Sequence, residues 1–183
     1  MSAENSMISQ TKLWLKRLVI AHNLCPFAHR EFAQDSIRYC IDGSTDDGQL
    51  YDRFCEEIRW LQEHPETSTT LIIWPDITDF ESFLNRVNFA EHILQTHQWA
   101  ASFQLAHFHP QYCFLDTEIN DPANYTNRSP WPMLHILRSE QMEKVLARYP
   151  EPEKIPDNNI ALAHKLGAAH LRALLQSCFD ETE

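Results

Sequence analysis

The sequence predicts an α/β fold, a mostly parallel or mixed sheet of about four strands with helices packed on it. Three short apolar segments with strand character begin near residues 36, 69 and 100, and a helical pattern lies in each gap. Right-handed crossovers between parallel strands need a spacing of about thirty residues of this kind. A fourth strand is predicted further along, and additional helices are predicted at the N- and C-terminal ends.

Hydrophobic periodicity assigns the individual elements. Apolar residues recur at helical spacing in some segments, whereas others alternate or form short apolar runs that are typical of strands. The predicted helices cover residues 10–24, 26–33, 49–64, 79–97, 139–150 and 156–179. The predicted strands cover residues 36–41, 68–75, 99–110 and 132–138.

Prolines and capping residues set the predicted helix boundaries. The first helix ends at Cys25, because Pro26 restricts the residue before it to extended conformations. Pro26 also suits the first position of a new short helix, and Cys25 would then be the N-cap of that helix. Thr78 or Asp79 is the expected N-cap of the helix over 79–97. The last segment, 156–179, is predicted as one continuous amphipathic helix.

Length and charge limit the class of protein. A chain of 183 residues predicts a single domain over 1–183, and we expect residues 1–8 and 180–183 to be frayed. The net charge of −11 makes nucleic acid an unfavourable partner. The sequence shows no export signal and no apolar run long enough to span a membrane, so we expect a cytoplasmic protein without a membrane partner. The oligomeric state stays open.

Cysteine and glycine usage exclude several familiar sites. The five cysteines are an odd number without CxxC spacing, which argues against a disulfide framework and a zinc ribbon. The three glycines are isolated from one another, whereas phosphate-cradling loops need clustered glycines. The sequence therefore excludes a P-loop and a dinucleotide-binding fingerprint, and it leaves the cofactor unknown.

The connection from Pro110 to Pro132 is the main exception to the regular pattern. It shows little periodicity, and it is longer than most structureless loops in compact domains. Long loops of this kind tend to be functional. This connection and the strand ends beside it are therefore the expected location of a functional site.

Four blocks of sequence carry a resemblance to a known family. They are NLCPFA (23–28), FHPQY (108–112), PANYTNRSPWPMLHILR (122–138) and IPDNNI (155–160). Together they resemble the bacterial family catalogued as the domain of unknown function numbered 1415. The resemblance implies motif positions and no particular reaction. The residues that fall on the pattern are Cys25, Pro26, His109, Pro110, Tyr112, Asn124, Tyr125, Thr126, Asn127, Arg128, Ser129, Pro130 and His135.

Cys25 is the first candidate catalytic residue. At a helix N-terminus its sulfur would meet free backbone N–H groups and the positive end of the helix dipole, which lower a thiol pKa. His29, four residues further on, would share the same face. The alternative is that Cys25 is a small buried apolar residue that marks a helix break.

His109 is the second candidate catalytic residue. It ends a predicted strand at the carboxyl edge of the sheet, where open α/β sheets bind their ligands. The alternative is a histidine that is hydrogen-bonded to a loop carbonyl. His107, His109 and Cys113 also form an H-x-H-x3-C pattern, but a fourth ligand is not evident and His107 and Cys113 depart from the family pattern. We therefore assign no metal ligands, and metal binding stays a weaker alternative.

The long connection supplies the candidate ligand-binding residues. Amides, hydroxyls and one guanidinium occur within six residues, a set that suits a carboxylate or phosphate group. The alternative is that these residues cap turns and stiffen the loop. The predicted ligand-binding residues are Asn124, Thr126, Asn127, Arg128, Ser129, Tyr112 and His135.

These residues favour an enzyme that acts on a small anionic metabolite. Arg128 and its loop would bind the anion, His109 would act as general acid or base, and Cys25 would be a nucleophile or redox thiol. The alternative is a non-catalytic ligand-binding or regulatory protein that uses the same loop.

Overall fold

The computed structural model of the protein describes residues 2–180, which form a four-stranded mixed sheet with helices on both faces. The strands are β1 (Ile37–Ile41), β2 (Thr69–Ile73), β3 (Phe103–Phe108) and β4 (Met133–Arg138). Their order across the sheet is β1-β2-β4-β3. The predicted α/β fold with a mixed sheet is confirmed.

Strand β4 lies between β2 and β3 and is antiparallel to both. Strand β1 pairs in parallel with β2, so β1, β2 and β3 all run in the same direction. The predicted crossovers therefore connect strands of one direction. The long connection after β3 leads into β4, which runs antiparallel to β3 and lies between β3 and β2.

The helices flank this sheet in the expected order. They are α1 (Ala3–Trp14), α2 (Ala28–Ala33), α3 (Asp47–Glu63), α4 (Phe80–Thr96), α5 (Ser139–Leu146), α6 (Ile155–Leu166) and α7 (Ala168–Asp180). The chain leaves α1 without a break into a π-helical segment, Leu15–Ile20. The N-cap of α4 is Asp79, whose side chain accepts a hydrogen bond from the N–H of Ser82.

Alternating side chains of the sheet form two hydrophobic cores. Ile72 and Trp74 point to the face covered by α3 and α4, which we call the α3–α4 face. Leu71 and Ile73 point to the opposite face, which α1, the π-helical segment and α7 cover, and which we call the α1–α7 face. Every residue of β2 is buried, so this strand supplies both cores.

The terminal segment forms two helices, and the prediction of one continuous helix is wrong. Gly167 adopts a φ of 79° between α6 and α7, a backbone conformation that side chains with a Cβ rarely adopt. The corner lets α6 pack on the 3₁₀-helical segment Pro122–Thr126 while α7 packs on α1.

The N-terminal segment also differs from expectation. Residues 1–8 were expected to be frayed, but α1 begins at Ala3, and the Ser2 side chain accepts a hydrogen bond from the N–H of Asn5. Residues 1 and 181–183 lie outside the described residues, and Asp180 is the last residue of α7.

Candidate functional site

Asn124 organises the long connection from inside. Its side chain is fully buried, and its amide oxygen accepts hydrogen bonds from the N–H of Phe114 at 2.9 Å and from Thr117 Oγ1 at 3.0 Å. Its amide nitrogen donates to the Glu118 carbonyl at 2.9 Å. One side chain therefore satisfies three hydrogen-bonding groups of the loop 114–118. This is the role expected if the polar residues of the segment cap turns and stiffen the loop.

Arg128 is also directed towards the loop. Its guanidinium donates to the Tyr112 carbonyl at 3.0 Å and to the Ile119 carbonyl at 2.6 Å, and it lies 4.6 Å from the centre of the Tyr125 ring. Only 8% of Arg128 is exposed. The guanidinium that was predicted to bind an anion thus cross-links the loop at three places.

The other polar residues of this segment make similar local hydrogen bonds. Thr126 Oγ1 donates to the Ala123 carbonyl at 2.8 Å, and Asn127 Nδ2 donates to the His107 carbonyl at 3.2 Å. Ser129 Oγ donates to the Trp131 carbonyl at 2.5 Å. The structure brings the predicted ligand loop together, but its donors face its own backbone and the end of β3.

His109 lies on the α3–α4 face and is 1% exposed. Its ring packs against Phe80 and Phe83, with centroids 5.3 Å and 4.9 Å away, and Nδ1 accepts a hydrogen bond from the N–H of Gln111. Burial lowers the pKa of His109, although the nearby Ile77 carbonyl acts in the opposite direction. Nε2 has no well-formed hydrogen bond within residues 2–180.

Tyr112 and His107 lie in the same cluster as His109. The Tyr112 ring lies 5.2 Å from Phe80 and 5.5 Å from His107, centroid to centroid, and burial raises its pKa. Cys113 Sγ contacts Thr117 and Asn124. Within residues 2–180, no three His, Cys, Asp or Glu side chains are grouped closely enough to hold a metal ion. The H-x-H-x3-C pattern therefore does not assemble a site there.

Cys25 precedes α2 but is not its N-cap, because α2 begins at Ala28 and not at Pro26. This part of the prediction is wrong. The Cys25 sulfur nevertheless accepts hydrogen bonds from backbone N–H groups, as the prediction for a helix N-terminus expected. Burial raises the pKa of the Cys25 thiol, and hydrogen bonds from the backbone N–H groups of Phe27 and Ala28 only partly oppose this effect. The thiol is therefore protonated at neutral pH.

The structure does not bring Cys25 and His109 together. Cys25 packs on the core of the α1–α7 face, whereas His109 packs against Phe80 and Phe83 on the α3–α4 face. The sheet separates the two side chains. Cys25 and His109 therefore do not form a catalytic pair within one site.

Cys25 instead lines a cavity of about 470 Å³ on the α1–α7 face. The sheet contributes its floor through β2, β4 and Phe108 at the end of β3, and the walls come from Trp14, the π-helical segment, residues 25–31 and α5. A volume of this size lies within the range of about 300–1,000 Å³ that small-molecule sites occupy. The cavity extends towards the amino ends of β1 and β2, and not to the carboxyl edge that the position of His109 suggested.

His135 is the predicted ligand-binding residue that lines this cavity together with Cys25. Its Nε2 lies 2.6 Å from Thr69 Oγ1, and Thr69 Oγ1 lies 2.5 Å from the Ile136 carbonyl. Burial lowers the pKa of His135 to about 4, so the ring is neutral at pH 7. The sheet register places this pair, because β4 lies directly beside β2.

Basic residues surround the opening of the cavity. Arg30, Lys144 and Arg148 are exposed, and Arg138 at the end of β4 donates hydrogen bonds to the carbonyls of residues 61, 64 and 67. One carboxylate, Glu31, lies among them. Sequence reasoning missed these cations and Thr69, because they come from separate segments that only the folded chain brings together.

The fold and the cavity define the class of protein as a mixed-sheet α/β protein with an apolar cavity between its sheet and α5. The chain belongs to the family described as protein of unknown function (DUF1415), whose family model matches residues 6–173. The comparisons found no match among curated proteins and none among solved structures. No helix within residues 2–180 has both the length and the hydropathy that crossing a membrane would require.

The structure predicts that Arg128 stabilises the fold. Replacing Arg128 with Leu would remove the donors to the Tyr112 and Ile119 carbonyls, and we expect a loss of about 2 to 4 kcal/mol in the free energy of unfolding. Urea denaturation measures this change. Arg53→Leu is the control, because Arg53 forms an exposed ion pair with Glu56, and it should change stability by less than about 1 kcal/mol. Equal stability of Arg128→Leu and wild type would contradict the structural role.

A second prediction concerns pH. Because the pKa of His135 falls from its ordinary 6.5 to about 4 on folding, the unfolded chain binds a proton more readily as pH falls. The contribution of His135 to stability is fully present above pH 6.5 and is lost as pH falls towards 4, by about 3 kcal/mol in total. Urea denaturation across this range should therefore show a shallower pH dependence for His135→Gln than for wild type.

The exposed His29 provides the matched control for this experiment. His29→Gln should follow the pH dependence of wild type, because the His29 side chain is solvated before and after folding. If the His135→Gln curve runs parallel to the wild-type curve, the assigned state of His135 is wrong.

Proposed function

We propose that this protein binds a small organic anion with a largely apolar body in the cavity on the α1–α7 face. The observation that carries this proposal is an apolar cavity of about 470 Å³ with cations around its opening, in a chain whose net charge is −11. An acidic protein repels anions over most of its surface. A local group of cations beside a cavity is therefore the feature that would attract one.

The walls of the cavity suit the apolar body of such a ligand. Trp14 and Phe108 contribute aromatic surface, and their rings meet edge to face at 5.1 Å. Leu71 adds apolar surface from the sheet, and Met142 and Val145 add it from α5. Removing apolar ligand surface from water against these walls would supply most of the binding free energy.

The cations at the opening differ in how free they are to meet an anion. Arg148 makes no ion pair or hydrogen bond through its guanidinium within residues 2–180, and it is exposed. Lys144 pairs with Glu140 at 2.5 Å, and Arg30 lies 3.9 Å from Glu31. Both ion pairs include exposed groups, which water and salt screen. An anionic ligand can therefore replace the carboxylate partner of Lys144 or Arg30 at a small cost in free energy. Arg148 is the cation best placed to receive the anion.

The states of Cys25 and His135 favour binding over nucleophilic catalysis. Burial raises the pKa of Cys25 and lowers the pKa of His135, so both side chains are neutral at pH 7. A cysteine nucleophile needs the thiolate, which a neighbouring imidazolium or cation usually stabilises. A neutral thiol and a neutral imidazole are instead suited to contacting an uncharged part of a ligand.

We place this binding function in the cytosol. The five cysteines are free. Unpaired thiols are typical of the reducing cytosol. The buried positions of Cys40, Cys55 and Cys178 agree with a role in packing.

An enzyme that uses Cys25 as its nucleophile is the second candidate. It is favoured by the backbone N–H groups of Phe27 and Ala28, which donate to the Cys25 sulfur, and by the presence of His135 in the same cavity. A substrate that brought an additional positive group next to the sulfur would be needed to form the thiolate, because burial already disfavours it. This requirement places the enzyme second to the binding protein.

The anion requirement is tested with a charged probe and a neutral analogue of the same size. 3-Phenylpropionate should bind about fivefold more tightly than 3-phenylpropionamide, because a solvated cation contributes about 1 kcal/mol towards a carboxylate. Isothermal titration calorimetry measures both affinities. Arg148→Glu should remove the preference for the carboxylate.

Arg53→Glu is the control, because it makes the same change in net charge on α3, on the other side of the sheet. It should keep the preference for the carboxylate. If neither probe binds to the wild-type protein, the proposed binding function is overturned. If both probes bind equally, the cavity binds apolar ligands and the anion requirement fails.

Alkylation separates the two candidate functions. In the folded protein, Cys25 should react slowly with iodoacetamide at pH 7.5, and its rate should rise only above the ordinary pKa of a thiol, because burial raises the pKa of Cys25. Mass mapping locates each modified cysteine, and the buried Cys40, whose pKa burial raises to about 12, serves as an unreactive reference. A fast reaction of Cys25 at neutral pH would favour the enzyme.

A further inference from the structure

The Thr69 hydroxyl determines which nitrogen of His135 carries the proton. A hydroxyl has one hydrogen, and a carbonyl can only accept. The Ile136 carbonyl lies 2.5 Å from Thr69 Oγ1, so the Thr69 hydrogen must point to it. The lone pairs of Thr69 Oγ1 then face His135 Nε2 at 2.6 Å. Nε2 must therefore be the protonated nitrogen of this ring.

The other nitrogen, Nδ1, consequently carries a lone pair. Burial keeps the ring neutral, since it lowers the pKa of His135 to about 4. Within residues 2–180, Nδ1 has no hydrogen-bond partner, and it is not among the polar atoms that are sealed from solvent. His135 lines the cavity, so this acceptor is open to a molecule that occupies it.

The surroundings of His135 make an unpaired acceptor costly once a ligand excludes water. Leu71 and Phe108 line the same part of the cavity, and the Phe108 ring centroid lies 6.3 Å from the His135 ring centroid. These side chains offer no hydrogen-bond donor. A ligand that buried Nδ1 without donating to it would lose free energy, whereas a ligand with a donor at that end would not.

The acceptor and the cations belong to different parts of the cavity. His135 and Thr69 lie on strands β4 and β2 at its floor. Arg30, Lys144 and Arg148 are exposed at its opening. A ligand that satisfies both must therefore carry a donor at its buried end and its negative charge at its solvent end.

We propose that the cavity selects organic anions that carry a hydroxyl group at the end opposite to their carboxylate or phosphate, with the hydroxyl donating a hydrogen bond to His135 Nδ1. This inference rests on the proposed function and names its ligand class. Thr69 is the positioning residue, because its hydroxyl holds the proton on Nε2 and so leaves Nδ1 as the acceptor.

Three probes of similar shape test the inference by calorimetry. They are 3-phenylpropionate, 3-(4-hydroxyphenyl)propionate and 3-(4-methoxyphenyl)propionate. The hydroxyl probe should bind about tenfold more tightly than the other two, because only it offers a donor to Nδ1. The methoxy probe keeps the oxygen but lacks the donor. It therefore separates hydrogen-bond donation from polarity alone.

Two variants locate the effect. His135→Phe should bind the hydroxyl probe no more tightly than 3-phenylpropionate. Thr69→Val keeps the shape of Thr69 but removes its hydroxyl, so His135 is free to place its proton on either nitrogen, and the tenfold preference should decrease. Arg53→Glu on α3 should keep the full preference.

Nitrogen-15 NMR of the histidine rings tests the same inference on the wild-type protein, without relying on any variant to fold. The His135 ring should show a protonated Nε2 and an unprotonated Nδ1 at pH 7. The hydroxyl probe should shift the Nδ1 resonance, and 3-phenylpropionate should not.

The outcomes separate the inference from the proposed function. Equal affinities of the three probes overturn the inference and leave the binding of organic anions intact. A proton on Nδ1 in the free protein also overturns it. Failure of all three probes to bind overturns both the inference and the proposed function.

Discussion

The structure depends on the insertion of β4 between β2 and β3. This antiparallel strand completes a sheet whose other strands all run in one direction, and it makes β2 a central strand, whose two faces the helices then bury. The same register places His135 of β4 beside Thr69 of β2, and it brings Arg138 to the carbonyls that follow α3. The floor of the cavity, the state of its histidine and the anchoring of α3 therefore follow from one pairing of strands.

The long connection before β4 shows how this chain builds a loop with few glycines. The three glycines lie elsewhere, and the turns of the connection are held by side chains instead. Asn124 and Arg128 together satisfy backbone groups from Tyr112 to Ile119, and the Trp14 indole donates to the Arg128 carbonyl at 3.0 Å. A high density of polar groups in a loop can thus reflect backbone groups that must be satisfied, and not only a ligand.

Burial controls the chemistry of the cavity more strongly than local hydrogen bonds do. Cys25 has the N–H contacts expected of a reactive thiol, yet burial outweighs them and raises its pKa. Burial lowers the pKa of His135, because it disfavours the charged imidazolium form. The cavity therefore combines a neutral interior with a cationic opening. This polarity supports a ligand whose ends differ in charge.

The sequence by itself determined the fold class and the approximate positions of the four strands, and it restricted the cap of α4 to Thr78 or Asp79, because periodicity and capping depend on neighbouring residues. It also singled out Cys25, from its expected position at a helix N-terminus, and His135, which only the family resemblance indicated. Only the tertiary structure decided that Gly167 divides the terminal helix, that Arg128 faces its own loop and that His109 lies across the sheet from Cys25. These outcomes depend on which segments pack against one another in the folded chain, and spacing along one chain does not contain that information.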